Sequence, residues 1–285
     1  MKKIILVLLI GFVVQLGNSQ SVGIRAGLNY SKFNGPVIAS ANEKYSFASG
    51  FHFGINYNQL MTDKSYLRFE ILYTQIGSKY NYNGPGYYYI RYSGGNFYEY
   101  GNMKMNLDIS NAYLSLPITY HYQVTKKIEL HAGVYGGILV APRGSGTLDF
   151  DSYDEPNRIF ITQSLDYNYG GDVAGGGTTP TTLFPHIYVG EDVVTLPSFA
   201  GAYYQYQEKD GNRFRWFDAG VSVGGSYFFN RGFYGGLRFN YGLVDITRTE
   251  GDVSFSTLNE ANDNAIHKTT NDKNFGFEVS LGFKF

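Results

Sequence analysis

The chain has 285 residues, and its 23 Lys and Arg against 24 Asp and Glu give a net charge of -1. This balance provides no basic surface for nucleic acid, so we expect no nucleic-acid partner. Aromatic residues make up 18% of the chain and charged residues only 16%, with 36 Gly and no Cys. Aromatic side chains favour strands and Gly marks tight bends, so the composition predicts an all-β protein.

Residues 1–19 differ from the rest of the chain. A basic start, "MKK", precedes the apolar run "IILVLLIGFVVQL" and the small residues of "GNS". This order is typical of a cleaved signal peptide and predicts export, with Gln20 as the new N-terminus. An uncleaved anchor helix is the less favoured interpretation, because the apolar run is too short to cross roughly 30 Å of hydrocarbon.

Eight later segments alternate apolar and polar residues with the period of two that strands have. Each has about nine residues or more, which is enough to cross a bilayer at a tilt. In chain order they are "VGIRAGLNYS", "FHFGINYNQ", "YLRFEILYTQ", "AYLSLPITYHYQ", "IELHAGVYGGILV", "WFDAGVSVGGSYFF", "FYGGLRFNYGLV" and "NFGFEVSLGFKF".

The connections between these segments alternate between short and long. Short ones, "MTDKS", "TKK" and "NRG", follow the second, fourth and sixth segments, and long ones fall at about 33–46, 80–103, 141–212 and 249–272. Outer-membrane barrels have short periplasmic turns and long extracellular loops. The sequence therefore predicts an antiparallel up-and-down β-barrel of eight strands over residues 20–285, in the outer membrane of a Gram-negative bacterium, with both termini periplasmic.

The last segment carries an apolar residue at every second position. These are Phe275, Phe277, Val279, Leu281, Phe283 and Phe285. Because no strand edge can stay unpaired in lipid, this strand is predicted to pair with residues 22–31 and to turn its apolar side toward outer-membrane lipid. A terminal Phe on such a strand resembles the signal that the barrel assembly machinery recognises, which implies that machinery as a partner.

The polar sides of the eight segments carry four positive and four negative side chains. They are Arg25, Arg68, Arg238, Lys284, Glu70, Glu129, Asp218 and Glu278. The interior of an eight-stranded barrel is just wide enough for side chains to fill it, and an unpaired buried charge costs several kcal/mol. We therefore predict that the four positive side chains pair with the four negative ones in a charge network that plugs the interior, so that a wide channel is not expected.

The second long connection is rich in tyrosine. Tyr82, Tyr87, Tyr88, Tyr89 and Tyr92 stand there among Gly, Ser and Asn, a composition that suits a recognition surface. A compatible interpretation is that this stretch extends the third and fourth strands as a protruding hairpin. A protein partner would then bind at the extracellular face, with the periplasmic face as the alternative.

The third long connection contains three further patterns. Its carboxylates Asp149, Asp151, Asp154 and Glu155 are hard ligands that would suit Ca²⁺, but their spacing lacks the Gly and Glu of an EF-hand, which favours a solvated acidic loop. The glycines of "GDVAGGGTTPTT" lack a following Lys and predict a flexible loop. The Asp-Gly pair at 210–211 predicts a hairpin that would extend the sixth strand or, alternatively, raise the strand number to ten.

Catalysis is not supported by the arrangement of the histidines. His52, His121 and His131 fall on the polar sides of strands, whereas His186 and His267 fall in long connections. An outer-membrane enzyme needs a reactive His gathered with carboxylate or hydroxyl partners near the rim, and no such set can be recognised here. We therefore predict a protein that is not an enzyme and that has neither a cofactor nor a metal site.

Five stretches together resemble the PorT-like outer-membrane β-barrel family. They are "GIRAGLNYS", "LRFEILYTQIGSKY", "YLSLPITY", "FDAGVSVGGSYFF" and "LRFNYGLVDI". The resemblance implies a small eight-stranded barrel in the outer membrane; most members have no assigned chemistry, and one branch assists protein secretion. The third long connection departs most from the family pattern. Three functions follow in order of preference: surface binding or membrane structure, an accessory role in secretion or envelope assembly, and an outer-membrane enzyme.

Overall fold

The computed structural model describes residues 20–37, 41–155, 158–179, 186–258, 265–267 and 271–285. The predicted signal peptide lies outside these residues. In chain order the elements are β1 (Gln20–Asn34), β2 (Lys44–Thr62), β3 (Ser65–Tyr92), β4 (Gly95–Gln123), β5 (Ile128–Ser152), β6 (Phe160–Asn168), β7 (Gly177–Thr178), β8 (His186–Val189), β9 (Asp192–Thr195), β10 (Phe199–Ala200), β11 (Phe217–Phe228), β12 (Phe233–Gly242), the 3-10 turn η1 (Thr249–Gly251), β13 (Val253–Leu258), β14 (Ala265–His267) and β15 (Lys273–Lys284).

Eight of these strands close into a ring of antiparallel neighbours. The order is β1, β2, β3, β4, β5, β11, β12 and β15, and β15 returns to β1. The predicted eight-stranded barrel is therefore confirmed. The ten-stranded alternative is wrong because β5 pairs directly with β11, where Ile138 lies opposite Phe217.

The last strand closes the barrel in the predicted register. Val279 on β15 lies opposite Leu28 on β1, and Lys284 lies opposite Gly23. Val279 and Leu281 are about half exposed to the surroundings, whereas Glu278 is 6% exposed and points inward. A shift by one residue would turn Glu278 and Lys284 toward lipid, so the alternation specifies this register.

The outer wall of the ring is an apolar belt. Leu116, Ile55 and Val223 are exposed there at 47%, 54% and 57%, and the inward neighbours Thr119 and Asn56 are buried. A soluble protein would bury such residues, but in lipid they face hydrocarbon while the polar side faces the lumen. Among the described residues, no helix is long and apolar enough to cross a membrane.

Strands β3, β4 and β5 continue far beyond the belt, and there the pattern inverts. On β4, Leu116 faces outward within the belt, whereas the outward-facing residues beyond it are polar, such as Lys104 and Asp108. The inward-facing residues beyond the belt are apolar, with Met103 and Leu107 fully or almost fully buried. The inversion is expected where a sheet leaves lipid for water, because the apolar face must then turn away from the solvent.

A β-bulge marks this transition between β4 and β5. Ala112 pairs with Ala141 and Tyr113 pairs with Leu139, so Val140 is an extra residue on β5. A single inserted residue reverses which alternate positions point inward. As a result Gly144, Leu148 and Phe150 face the interior beyond the bulge.

We call the part beyond the belt the cap; it comprises residues 76–112 and 141–155 with 158–179 and 186–214. Its core is one continuous apolar cluster that includes Tyr88, Ile90, Met105, Phe150 and Leu165. The second predicted long connection is thus largely strand, because β3 and β4 meet at the turn before Gly95, and the third begins as strand, because β5 runs on to Ser152 and pairs with β6. The projecting hairpin considered for residues 80–103 is present.

The hairpin predicted at Asp210 and Gly211 is wrong. Gly211 has a φ of 80°, as a turn requires, but no strand is formed between Ala200 and Phe217. The tyrosines before it do not alternate between two faces of a ribbon, because Tyr203, Tyr204 and Tyr206 are all buried in the cap core. Core packing has therefore displaced the strand pairing that the Asp-Gly pair suggested.

Candidate functional site

The centre of the lumen is crossed by a closed ring of two arginines and two glutamates. Arg25 Nη1 donates to both Glu70 oxygens at 3.3 Å, and its Nη2 donates to Glu278 Oε2 at 2.8 Å. Arg238 Nη2 donates to Glu70 Oε2 at 2.5 Å, and its Nη1 lies 3.8 Å from Glu278. Each carboxylate thus contacts both guanidinium groups. All four side chains are at least nine-tenths buried. We call these four residues the lumen ring.

The four other charges predicted for this network have different partners. Arg68 donates from Nε to Asn58 at 2.8 Å and from Nη2 to the Tyr66 hydroxyl at 2.9 Å. Lys284 lies over the ring of Tyr66 at 4.5 Å, a cation–π contact. Among the described residues, neither cation forms a direct ion pair with Glu129 or Asp218. The expectation that all eight charges pair directly is therefore wrong for these four.

Glu129 belongs to a hydrogen-bonded relay near the end of the barrel where the short turns lie. Its Oε1 accepts from His121 Nδ1 at 2.6 Å, and its Oε2 accepts from the Tyr66 hydroxyl at 2.6 Å. His121 therefore carries its proton on Nδ1, and its Nε2 accepts from the Thr119 hydroxyl at 2.8 Å. The geometry satisfies a buried carboxylate with neutral donors where a cation was expected.

Asp218 occupies a different environment at the end of the lumen nearest the cap. Its Oδ2 accepts from Asn274 Nδ2 at 2.9 Å and from the Tyr135 hydroxyl at 3.4 Å. The residue is 1% exposed, and its Oδ1 has no hydrogen-bond partner among the described residues. A cavity of about 40 Å³ adjoins it.

Buried polar contacts stabilise the cap in addition to its apolar core. The Tyr88 hydroxyl donates to Gln163 Oε1 at 2.5 Å, and Gln163 Nε2 donates to the carbonyl of Pro197 at 2.7 Å. Arg91 donates to the carbonyls of Tyr204 and Tyr206. Burial raises the pKa of Tyr88 well above its ordinary value, so this hydroxyl stays a hydrogen-bond donor.

The tyrosines predicted as a recognition surface are mostly interior. Tyr82, Tyr87, Tyr88 and Tyr89 are between 0% and 6% exposed, and Tyr92 is half-buried. Tyr82 and Tyr88 face the cap core, whereas Tyr87 and Tyr89 lie on the alternate face of β3 and are buried against Tyr98. The prediction of an exposed surface at these five positions is therefore wrong, and their packing supports the cap.

The acidic stretch of the third long connection forms ordinary surface contacts. Asp151 accepts two hydrogen bonds from Arg158, at 2.6 Å and 2.5 Å, and Asp149 accepts from Thr162 at 2.9 Å. The hydrogen bonds from Arg158 lower the pKa of the Asp151 carboxyl. These two carboxylates already have partners and lie on β5, so this part of the predicted solvated acidic loop is a solvent-facing strand.

The closed ring, the lipid-facing belt and the polar lumen define the type of protein. The sequence profile of the outer membrane protein beta-barrel domain matches residues 15–248. The chain belongs to this family. No curated protein sequence matches it.

Solved structures of small outer-membrane proteins are similar to this chain. They include the attachment invasion locus protein Ail of Yersinia pestis (9% identity over 94% of this chain and 100% of Ail, TM-score 0.38), Neisserial surface protein A (13% identity over 94% and 100%, TM-score 0.37) and OprG of Pseudomonas aeruginosa (10% identity over 95% and 99%, TM-score 0.33).

In this outer-membrane barrel, one group of residues has the composition of a metal site. His121, Glu129 and His131 place ligand atoms within 4.8 Å of one another. However, the two imidazole rings stack at 4.6 Å with only 21° between their planes, so their in-plane lone pairs cannot converge on one ion. Both Glu129 oxygens are also engaged, and Arg68 is linked to them through Tyr66. The group fits a hydrogen-bonded relay better than a metal centre.

The same relay has the order of groups found in hydrolases, with hydroxyl, imidazole and carboxylate in sequence. Thr119 and His121 are both 0% exposed and Glu129 is 2% exposed, so a substrate cannot reach the hydroxyl. Sequence reasoning missed this relay, although Thr119 and His121 stand two residues apart on one strand. That spacing places them on the same face and was the signal available.

Proposed function

We propose that the protein is a non-enzymatic, non-conducting outer-membrane barrel that anchors a folded extracellular cap for binding at the cell surface. The observation that carries this proposal is the combination of a lumen crossed by the lumen ring and a cap with its own apolar core. The cap lies at the end of the long connections, which in outer-membrane barrels is the extracellular end. Both termini would then be periplasmic.

Two layers of side chains block the lumen. Midway, the lumen ring fills the space between β1, β3, β12 and β15 with desolvated, mutually bonded charges. At the cap end, the buried ring of Phe214 packs against Phe33 at 5.9 Å and Tyr169 at 4.8 Å between ring centroids. An ion crossing the lumen would have to displace both layers.

Conductance tests this proposal directly. The purified protein in planar bilayers should show no stable open channel. A neutral variant of the lumen ring, with Arg25, Glu70, Arg238 and Glu278 all changed to Ser, removes the first layer, and further deletion of residues 160–214 removes the second. Conductance that appears only when both layers are gone supports the proposal, whereas a stable channel in the unmodified protein refutes it.

An accessory role in secretion or envelope assembly is the second candidate, as the PorT-like resemblance implies. The observation that favours it is an open cavity of about 610 Å³ at the short-turn end, lined by Tyr66, Glu129, Arg231 and Lys284 among others. The charged side chains that line it, together with its apolar ones, suit a segment of a periplasmic protein. Cross-linking from this end in detergent-solubilised membranes, compared between the unmodified protein and Arg231→Glu, distinguishes this role: a stoichiometric partner lost in the variant favours it.

We also propose that the C-terminal strand is read by the barrel assembly machinery. Phe285 is 72% exposed at the end of β15, and its backbone N–H donates to the carbonyl of Val22 at 2.8 Å. Phe285→Ser keeps this backbone bond and removes the ring. Its level in the outer membrane should fall while refolding of the purified variant into vesicles is unchanged; equal levels would exclude this recognition.

A further inference from the structure

The cavity beside Asp218 has the features of a small cation site. It measures about 40 Å³ and is lined from β1, β3, β4, β5, β11, β12 and β15. A water needs roughly 10 to 15 Å³ of such volume, so the space holds about three waters or a small ion with one or two of them. Three lining residues have a buried side-chain oxygen without a hydrogen-bond partner among the described residues: Thr74, Asp218 and Asn274.

The charges around the cavity leave one carboxylate uncompensated. Arg238 and Glu278 also line it, but both belong to the lumen ring, in which two arginines balance two glutamates. Asp218 is therefore the surplus charge, and its described partners, Asn274 and Tyr135, are neutral. A buried carboxylate without a cation is costly, so an ion or a proton is required to neutralise it.

We propose that Asp218 Oδ1, Asn274 Oδ1 and Thr74 Oγ1 bind a monovalent hard cation of the Na⁺ type, with the Tyr113 hydroxyl and cavity water completing its ligands. All four protein atoms are oxygens, the ligand type that hard cations take. One surplus negative charge matches one positive charge. A proton on Asp218 together with cavity water is the competing arrangement, and the two are distinguished by their different responses to Na⁺ and to pH.

The four ligands come from strands that meet only in the closed barrel. Thr74 lies on β3, Tyr113 on β4, Asp218 on β11 and Asn274 on β15. The unfolded chain therefore cannot form the site, and the ion stabilises only the folded state. This inference is independent of the proposed surface function, because conductance and cell-surface binding would be unaffected by its failure.

Thermal unfolding of the full chain in detergent, in NaCl and in choline chloride at equal ionic strength, tests the proposal. Each tenfold rise in Na⁺ above its dissociation constant should raise the folding equilibrium constant tenfold and the midpoint by about 3 °C. Asp218→Asn should abolish the difference between the two salts. Asp166→Asn, which removes an exposed carboxylate of β6, is the control for net charge and should retain the difference.

If Asp218→Asn fails to fold, Thr74→Val keeps the charge and removes one ligand. The Na⁺ concentration for half of the effect should then rise several-fold, and an unchanged concentration contradicts the site. Equal midpoints of the unmodified protein in both salts, or a response to Ca²⁺ without one to Na⁺, overturn the proposal. Stability that rises only as the pH falls would instead indicate a protonated Asp218.

Discussion

Glu70→Gln is the most informative single change in the lumen. It preserves the shape of the side chain but removes the charge that contacts Arg25 at 3.3 Å and Arg238 at 2.5 Å. Two buried guanidinium groups would then share Glu278 alone. Removing one partner of a buried ion pair costs about 3 to 5 kcal/mol, because the remaining charge is left without compensation.

The double variant Glu70→Gln with Arg238→Gln restores a balanced lumen ring. Arg25 and Glu278 remain paired at 2.8 Å, so only hydrogen bonds to charged groups are lost, at about 1.5 to 3 kcal/mol each. We expect the double variant to be more stable than the single one. Equilibrium urea unfolding in lipid vesicles, followed by the fluorescence of the single tryptophan, Trp216, measures both changes. A single variant within 1 kcal/mol of the unmodified protein, or a double variant that is less stable still, would refute the reasoning.

Three further predictions concern the lipid face, the orientation and the cap. Val279→Lys should destabilise folding into bilayers by about 2 to 4 kcal/mol, because this side chain faces hydrocarbon; Val279→Leu is the control, and an unchanged free energy for the Lys variant would contradict the assigned face. The chain has no Cys, so Asp166→Cys should react with an impermeant maleimide on intact cells and Lys64→Cys only after permeabilisation, and the reverse result would invert the topology. Tyr88→Phe leaves Gln163 Oε1 without its donor and should loosen the cap by about 1 to 3 kcal/mol, seen as faster proteolysis of residues 158–214 while the barrel stays intact; unchanged proteolysis would show that this bond is not needed.

The barrel itself could be predicted from the sequence because lipid imposes a strict pattern. Each membrane strand needs apolar residues outward and polar residues inward, and Val279, Leu281 and Glu278 show this pattern without exception. The short turns at 62–65 and 230–232 then determined the strand order. Closure followed from the cost of an unpaired edge, so the eight-stranded ring required no knowledge of individual contacts.

The partners within the lumen could not be predicted in the same way. The alternation shows that Arg68, Glu129 and Asp218 point inward, but not how far along the barrel axis each one lies. Pairing by charge alone therefore overestimated the ion pairs. Neutral donors such as Tyr66 and His121 satisfy Glu129, and an aromatic ring accommodates Lys284. Such donors and rings can lie on any neighbouring strand, so the alternation does not identify them.

The apolar core of the cap was missed because the strands of the cap keep the period of two but have their apolar residues on the inward side. On β4, Met103, Met105 and Leu107 alternate as strictly as Leu114 and Leu116 do. However, the first set points toward the cap core and the second toward lipid. The alternation specifies strand in both regions, and only the solvent on the outer side distinguishes them. Inverted alternation within one strand is thus a usable signal for the point at which it leaves the membrane.

If the cap binds a ligand at the cell surface as proposed, its fold determines which face that ligand can reach. Three strands extend far on one side of the rim, whereas β1 ends at Asn34 and β12 ends at Gly242, so the cap core leans over the barrel mouth. A ligand therefore cannot use the inward-facing tyrosines without unfolding that core. The outward faces of β4 and β5 carry side chains such as Lys104, Asp108 and Arg143, which make no contribution to core packing. Substitutions there can change binding without a cost in stability, and we expect the specificity of the cap to reside on that face.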